Sequence, residues 1–194
     1  MKSICVFCGS SPGARPEYIA MAKLLGTTLA QKDITLIYGG AQVGLMGAVA
    51  DAVMAAGGKA IGVIPQLLMT KEVAHARLTE LRVVDSMHSR KALMSELSDA
   101  FIALPGGFGT FEELFEITTW AQLGLHQKPI GVLDVAGFYT PLKGLVEAGM
   151  HEQFIREEYR SLMVFADSPE EMLEKFAHYV PQPLPKWINS SSQT

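Results

Sequence analysis

The strongest constraint on this chain is an alternation that runs along most of its length. Short apolar runs at residues 3–8, 34–38, 59–64, 81–84, 100–104 and 129–133 read as strands, with 164–165 as a further edge candidate. Between them, residues 16–31, 44–56, 86–97, 110–123, 138–149 and 169–179 repeat apolar positions with a helical period. In the first of these helices Pro16 opens the segment and Ile19, Ala22, Leu25 and Leu29 form one stripe. Ser86 stands where an N-cap is wanted, and Gly57-Gly58 where a helix should close. Residues 66–80 read as a loop or a short helix. Strands alternating with helices require right-handed crossovers and a parallel sheet covered on both faces. The expected fold is therefore α/β: a doubly wound, Rossmann-like sheet in three α/β/α layers. It forms one nucleotide-binding domain over residues 1–180, with a Pro- and Ser-rich tail at 181–194 expected to fray.

Composition narrows the function. A chain of 194 residues that is 48% hydrophobic can bury a core without disulfides or metals. Its 16 Lys and Arg against 20 Asp and Glu give a net charge of −4, so no nucleic acid is expected as a partner, whereas a small anion needs only a few local donors. No apolar stretch approaches the roughly 20 residues that cross a bilayer, so no membrane partner is expected. The start, residues 1–9, lacks the pattern of a signal peptide. Cys5 and Cys8 have redox-motif spacing, but positions i and i+3 of a strand point to opposite faces, which predicts two core thiols. Reduced thiols suit a cytoplasmic location.

In open parallel sheets, ligands bind beyond the carboxyl ends of the strands. The loops at 9–14, 39–44, 65–71 and 105–110 meet there, and three are glycine-rich: Gly9-Ser10-Ser11-Pro12-Gly13, Gly39-Gly40-Ala41-Gln42-Val43-Gly44 and Gly106-Gly107-Phe108-Gly109-Thr110. Such loops either serve tight strand–helix turns or bring backbone N–H groups and a helix N-terminus against a phosphate. The first turn lacks G-x-G-x-x-G and no G-x-x-x-x-G-K-[ST] occurs, which disfavours a dinucleotide or a triphosphate hydrolase. A mononucleotide or sugar phosphate fits better.

Charged residues flank these loops. Met87-His88-Ser89-Arg90-Lys91 puts two cations in the first half of a helix, where the macrodipole opposes them by about 0.3–1 kcal/mol. Arg90 shares a stripe with Leu93 and Leu97, so it should meet either a ligand anion or a structural carboxylate. In the helix from Thr110, the residues Phe111, Leu114, Phe115, Thr118, Ala121 and Leu125 are expected to be buried. Glu113 and Glu116 then fall on the opposite face, with Thr119 and Trp120 beyond them and Glu112 towards its edge. Thr110-x-x-Glu113 can be a capping box or part of a catalytic site. His75, His126, His151 and His178 are scattered, with no zinc-type cluster, so no catalytic metal is expected.

Pro105-Gly106-Gly107-Phe108-Gly109-Thr110-Phe111-Glu112-Glu113 resembles the P-G-G-x-G-T-x-x-E motif of the LOG (Lonely guy) family. Met87-His88-Ser89-Arg90-Lys91 is similar to its M-H-x-R-K segment, and the two earlier glycine loops also match. The resemblance covers about residues 2–165. The family was long labelled possible lysine decarboxylases, but its activity is that of a cytokinin riboside 5'-monophosphate phosphoribohydrolase. It cleaves the N-glycosidic bond of a nucleoside monophosphate to free base and ribose 5-phosphate, and bacterial members often accept AMP. The resemblance implies Arg90 and Glu113 as the catalytic pair, and no cofactor or metal. It implies Glu72, Lys91, Gly106, Gly107, Phe108, Gly109, Thr110, Glu112 and Thr119 as substrate-binding, with Gly9, Ser10, Gly39 and Gly40 from the other matched loops. It further implies a homodimer with the Glu113 helix near the partner. Ala41 departs from many members, which carry a third glycine. A non-catalytic nucleotide or cofactor carrier on the same fold is the alternative.

Overall fold

The computed structural model describes residues 1–69 and 74–181. Its strands are β1 (Ser3–Phe7), β2 (Thr35–Tyr38), β3 (Ala60–Pro65), β4 (Glu80–Val84), β5 (Ala100–Ala103), β6 (Ile130–Leu133) and β7 (Met163–Ala166). Its helices are α1 (Pro16–Gln31), α2 (Gly44–Ala55), α3 (Met87–Glu96), α4 (Phe108–Gln122), α5 (Thr140–His151) and α6 (Pro169–Ala177). The seven strands pair in the order β4-β3-β2-β1-β5-β6-β7, all parallel. The chain winds outward from β1 to β4, then returns beside β1 to begin β5, so the switch point lies between β1 and β5. The doubly wound architecture expected from the alternation is present.

Strand alternation sorts the core onto two faces. Ile4, Val6 and Cys8 pack with residues of α1, α2 and α6, including Leu25, Val49 and Met172. Cys5 and Phe7 face the other way, into a cluster with Met94 of α3 and Leu114 and Ile117 of α4. The two cysteines are therefore buried, unbridged and on opposite faces, as their spacing requires. Ser86 caps α3 by accepting the Ser89 N–H at 3.0 Å. After α2, the Gly58 N–H reaches back to the Val53 carbonyl, with Gly57 at φ +76°.

Two expectations are corrected at α4. The helix begins at Phe108, two residues before Thr110, with Gly107 as its N-cap and no capping side chain. Thr110 is thus inside the first turn and buried, so Thr110 and Glu113 do not form a capping box. The buried stripe is Thr110, Leu114, Ile117 and Ala121, whereas Phe115 and Leu125 are exposed. Small and aliphatic side chains let the helix lie close on β1 and β5, which the larger aromatic ones would prevent. Glu113 consequently sits beside the buried face, not opposite it. The 138–149 helix also starts later, at Thr140, with Tyr139 as a non-helical N-cap whose N–H is held by Asp134 Oδ1 at 2.7 Å. The tail from residue 182 lies outside the described residues.

α1 and α2 approach closely at Gly26. A Cβ there would meet the Val49 carbonyl oxygen at 2.4 Å and the Ala52 Cβ at 2.9 Å. Gly26→Ala should destabilise the fold by about 1–3 kcal/mol through overpacking. Thermal unfolding should show this as a midpoint lowered by roughly 2–4 °C per kcal/mol.

Candidate active site

At the switch point the loops interlock through their backbones. The Leu104 N–H donates to the Phe7 carbonyl at 2.9 Å, and the Gly9 N–H to the Pro105 carbonyl at 3.0 Å. Gly106 has no room for a side chain, since a Cβ would lie 2.1 Å from the Thr110 hydroxyl oxygen and 2.9 Å from the Gly9 nitrogen. The α2 loop closes on the same point: the Leu45 N–H donates to the Gly9 carbonyl at 3.0 Å. Gly44, at φ +58°, lies against the Ser10 backbone.

A cleft of about 200 Å³ opens between these loops. Its walls are Cys8, Gly9, Ser10, Met46, Arg90, Gly107, Phe108, Gly109, Thr110 and Glu113. A neighbouring hollow of about 320 Å³ shares Gly9, Ser10 and Gly107 and adds Tyr18, Leu45 and Phe138. The floor of the cleft is the first turn of α4, whose leading N–H groups receive no side-chain cap. Gly107 and Gly109 differ from Gly106: a Cβ on either would meet nothing within 4 Å. Packing does not require glycine there, but a closely approaching anion would. A larger hollow of about 590 Å³ lies elsewhere, between Met1, Ile34 and Phe176, away from every glycine loop.

Arg90 is buried at 6% exposure. Its Nε–H donates to the Val63 carbonyl at 3.1 Å and its Nη2 to the Gly39 carbonyl at 3.1 Å. Val63 lies in β3 one residue past its last partner on β2, Gly62, and Gly39 follows β2, so both carbonyls lie where β2 gives out at the carboxyl edge of the sheet. Gly39 is obligatory beneath the guanidinium, because a Cβ would lie 2.1 Å from Nη2. The guanidinium has five N–H donors, and the residue also lines the cleft. Of the two sequence expectations for Arg90, the structural carboxylate gives way to main-chain carbonyls, while the residue does line the cleft.

Lys91 points the other way, to Glu112 at 2.5 Å and Glu116 at 2.8 Å. Burial pulls its pKa down, but the hydrogen bonds it donates to the two carboxylates outweigh that and leave it raised. This clamp ties α3 to α4 beside Glu113. A small void behind the clamp is lined by Lys91, Glu113, Glu116 and Trp120. Cys8 stays a neutral wall, since burial and then the Glu113 charge push its thiol well up. Tyr38, which precedes Gly39, carries the one buried side-chain polar atom without a partner among the described residues.

The structure therefore brings Arg90, Glu113, Gly9, Ser10, Gly107, Phe108, Gly109 and Thr110 to one cleft, with Gly106 packed beneath. Gly39 and Gly40 lie behind it, in the turn that supports Arg90. Lys91 and Glu112 stand at its side as an ion pair. Thr119 lines neither hollow; it is exposed, six residues along α4 from Glu113, with its hydroxyl donated to the Phe115 carbonyl. Glu72 lies outside the described residues. Sequence reasoning missed Met46 and Cys8 as walls and Val63 as an anchor of Arg90. A main-chain carbonyl leaves no signature in residue type. Among the described residues no cluster of three metal-ligating side chains occurs, and no helix is long and apolar enough to cross a membrane.

Fold and cleft define a doubly wound α/β protein with an uncapped helix N-terminus facing an arginine and a carboxylate. The family model described as "Possible lysine decarboxylase" matches residues 46–176, and this chain belongs to that family, the LOG family. It is 48% identical to the cytokinin riboside 5'-monophosphate phosphoribohydrolase LOG1 of Arabidopsis thaliana, over 93% of this chain and 85% of that protein. It is 47% identical to the enzyme of the same name, LOG, of Oryza sativa subsp. japonica, over 93% of this chain and 75% of that protein. Among solved structures, the molybdenum cofactor binding protein from Rippkaea orientalis superimposes with a TM-score of 0.67 at 23% identity, covering 92% of this chain and 97% of that one. The molybdenum cofactor carrier protein from Chlamydomonas reinhardtii gives 0.68 at 18%, covering 92% and 99%. At these identities the likeness is one of fold alone.

Gly109→Ala provides a test of the cradle. Alanine should leave the thermal midpoint unchanged or raise it, since it is the better helix former by about 1 kcal/mol. Losing one charged hydrogen bond to phosphate costs about 1.5–3 kcal/mol, roughly tenfold or more in affinity. Calorimetric titration with AMP should show that loss in a protein of undiminished stability.

Proposed function

We propose that this protein hydrolyses the N-glycosidic bond of a nucleoside 5'-monophosphate to free base and ribose 5-phosphate. The substrate is a cytokinin riboside 5'-monophosphate, AMP or both. The observation that carries this reading is the convergence of the uncapped α4 N-terminus, Arg90 and Glu113 on one cleft. The names of relatives at 47–49% identity agree with it.

The 5'-phosphate sits against the backbone N–H groups of the 107–110 turn, where helix dipole and orphan donors favour an anion. A carboxylate would repel that phosphate, so Glu113 faces the ribose. There it stabilises the positive charge that develops at the anomeric carbon and takes a proton from the attacking water. Arg90, held rigid by two carbonyls, orients Glu113 and supports the departing base. Lys91 neutralises part of the charge of Glu112 and Glu116, which lowers the repulsion beside a phosphate site. The same clamp argues against amine chemistry at Lys91. A Schiff-base lysine needs its pKa lowered, and this one is raised.

A pure carrier would gain little from carboxylates beside an anion site, and the carrier-like neighbours share only the fold. We take the enzyme to be a cytoplasmic homodimer that needs neither metal nor cofactor and binds no nucleic acid or membrane. Exposed Met87, Phe108 and Phe115 on α3 and α4 supply an apolar surface for the second copy. Light scattering should give twice the 21.0 kDa chain mass, and a monomer would remove the dimer.

Incubation with AMP and with isopentenyladenosine 5'-monophosphate, followed by chromatography, should show free base. Glu113→Gln should lower kcat by about 10²–10⁴-fold while the protein stays folded. Arg90→Lys should also lower kcat. It is a cleaner probe than Arg90→Ala, which would leave two buried carbonyls unpaired at about 1–3 kcal/mol each. Wild-type turnover in Glu113→Gln would remove Glu113 from the chemistry.

A further inference from the structure

We propose that His75 is a positioning residue for this site, a buried latch whose hydrogen bonds hold the Gly39–Gly40 turn and through it the Arg90 guanidinium. The proposal rests on the hydrolase reading only for its kinetic consequence. His75 belongs to none of the matched motifs, yet its side chain is fully buried. Its Nδ1 accepts the Arg77 backbone N–H at 3.1 Å, so that nitrogen carries no proton. The proton therefore sits on Nε2, which donates to Asp51 Oδ1 on α2 at 3.1 Å. Only this neutral tautomer serves both bonds.

The backbone completes the link. The His75 N–H donates to the Gly40 carbonyl at 3.0 Å, and Ala74 forms an isolated antiparallel bridge with Ala41. Gly39, next in the chain, gives its carbonyl to Arg90 Nη2. One continuous path thus runs from Asp51 through His75 and the glycine turn to Arg90. A single isolated bridge is a weak anchor, and the residues that follow, Ala76 and Arg77, are exposed. The buried imidazole seats this segment on α2 at Asp51, with the exposed Arg77 Nη2 as a second donor to the same oxygen at 3.4 Å. Gly39 cannot shift without disturbing Arg90, because its carbonyl accepts from Arg90 Nη2 at 3.1 Å. Misplacement of a catalytic group by about 1 Å can cost on the order of 100-fold in rate.

The test compares wild type with His75→Ala, His75→Asn and His75→Gln well below their melting temperatures. His75→Ala should lower kcat for AMP by about tenfold or more, with KM within about threefold, because the phosphate cradle on α4 is untouched. Asn supplies an acceptor at the Nδ1 place and Gln a donor at the Nε2 place, so each should recover part of the rate. A second readout does not depend on turnover. The Arg90 Nε–H signal, identified in nitrogen-15 NMR spectra by its loss in Arg90→Lys, should shift and exchange faster with solvent in His75→Ala. An Arg90 signal and kcat both unchanged, with only the melting temperature lowered, would overturn the latch. If wild type releases no base from any nucleoside monophosphate, the hydrolase reading fails, and the Arg90 signal alone still decides the latch. Should His75→Ala not fold, His75→Asn, which loses only the Asp51 bond, takes its place with the same expected directions.

Discussion

A buried guanidinium, bonded to the carbonyls of Gly39 and Val63, fixes the arrangement at the carboxyl edge of the sheet. A buried charge costs several kcal/mol unless its hydrogen bonds are made, and the carbonyls of Val63 in β3 and of Gly39 just after β2 meet that need. The solution has geometric consequences. Residue 39 is a glycine beneath the guanidinium, where a Cβ would lie 2.1 Å from Nη2, and the residue after Arg90 in the first half of α3, Lys91, reaches across to α4. An arginine apparently misplaced for the helix dipole is thus stabilised by the sheet, not by its own helix.

The second requirement of the proposed function is room for an anion. The loops after β1 and β5 close on each other so tightly that Gly9 and Gly106 touch. One residue further, Gly107 and Gly109 face open space. Tight packing therefore ends where the cleft begins, and the α4 N-terminus is left without a protein cap. The charges around it are apportioned: Glu112 and Glu116 are paired with Lys91, and Glu113 enters the cleft beside Arg90.

Much of the fold was legible because strand and helix periods differ. All seven strands, the opposite facing of Cys5 and Cys8 and the Ser86 cap followed from residue pattern. The candidate cleft was legible where the glycine loops meet, at 9–10 and 106–110. Errors gathered at α4. The expected buried stripe was right at Leu114 and Ala121, but tertiary packing buried Thr110 and Ile117 and left Phe115 and Leu125 exposed. The Thr-x-x-Glu pattern suggested a cap, but Gly107 starts the helix earlier. Anchors made by main chain, such as Val63 and Gly40, leave no trace in residue type, and the role of His75 depends on them.

The most direct test of the central claim is a crystal structure of Glu113→Gln with AMP bound. The account predicts the phosphate against the backbone N–H groups of residues 107–110, and the anomeric carbon of the ribose facing the side chain at position 113. A phosphate held elsewhere, or a ribose turned away from that position with Arg90 remote from the nucleotide, would contradict it.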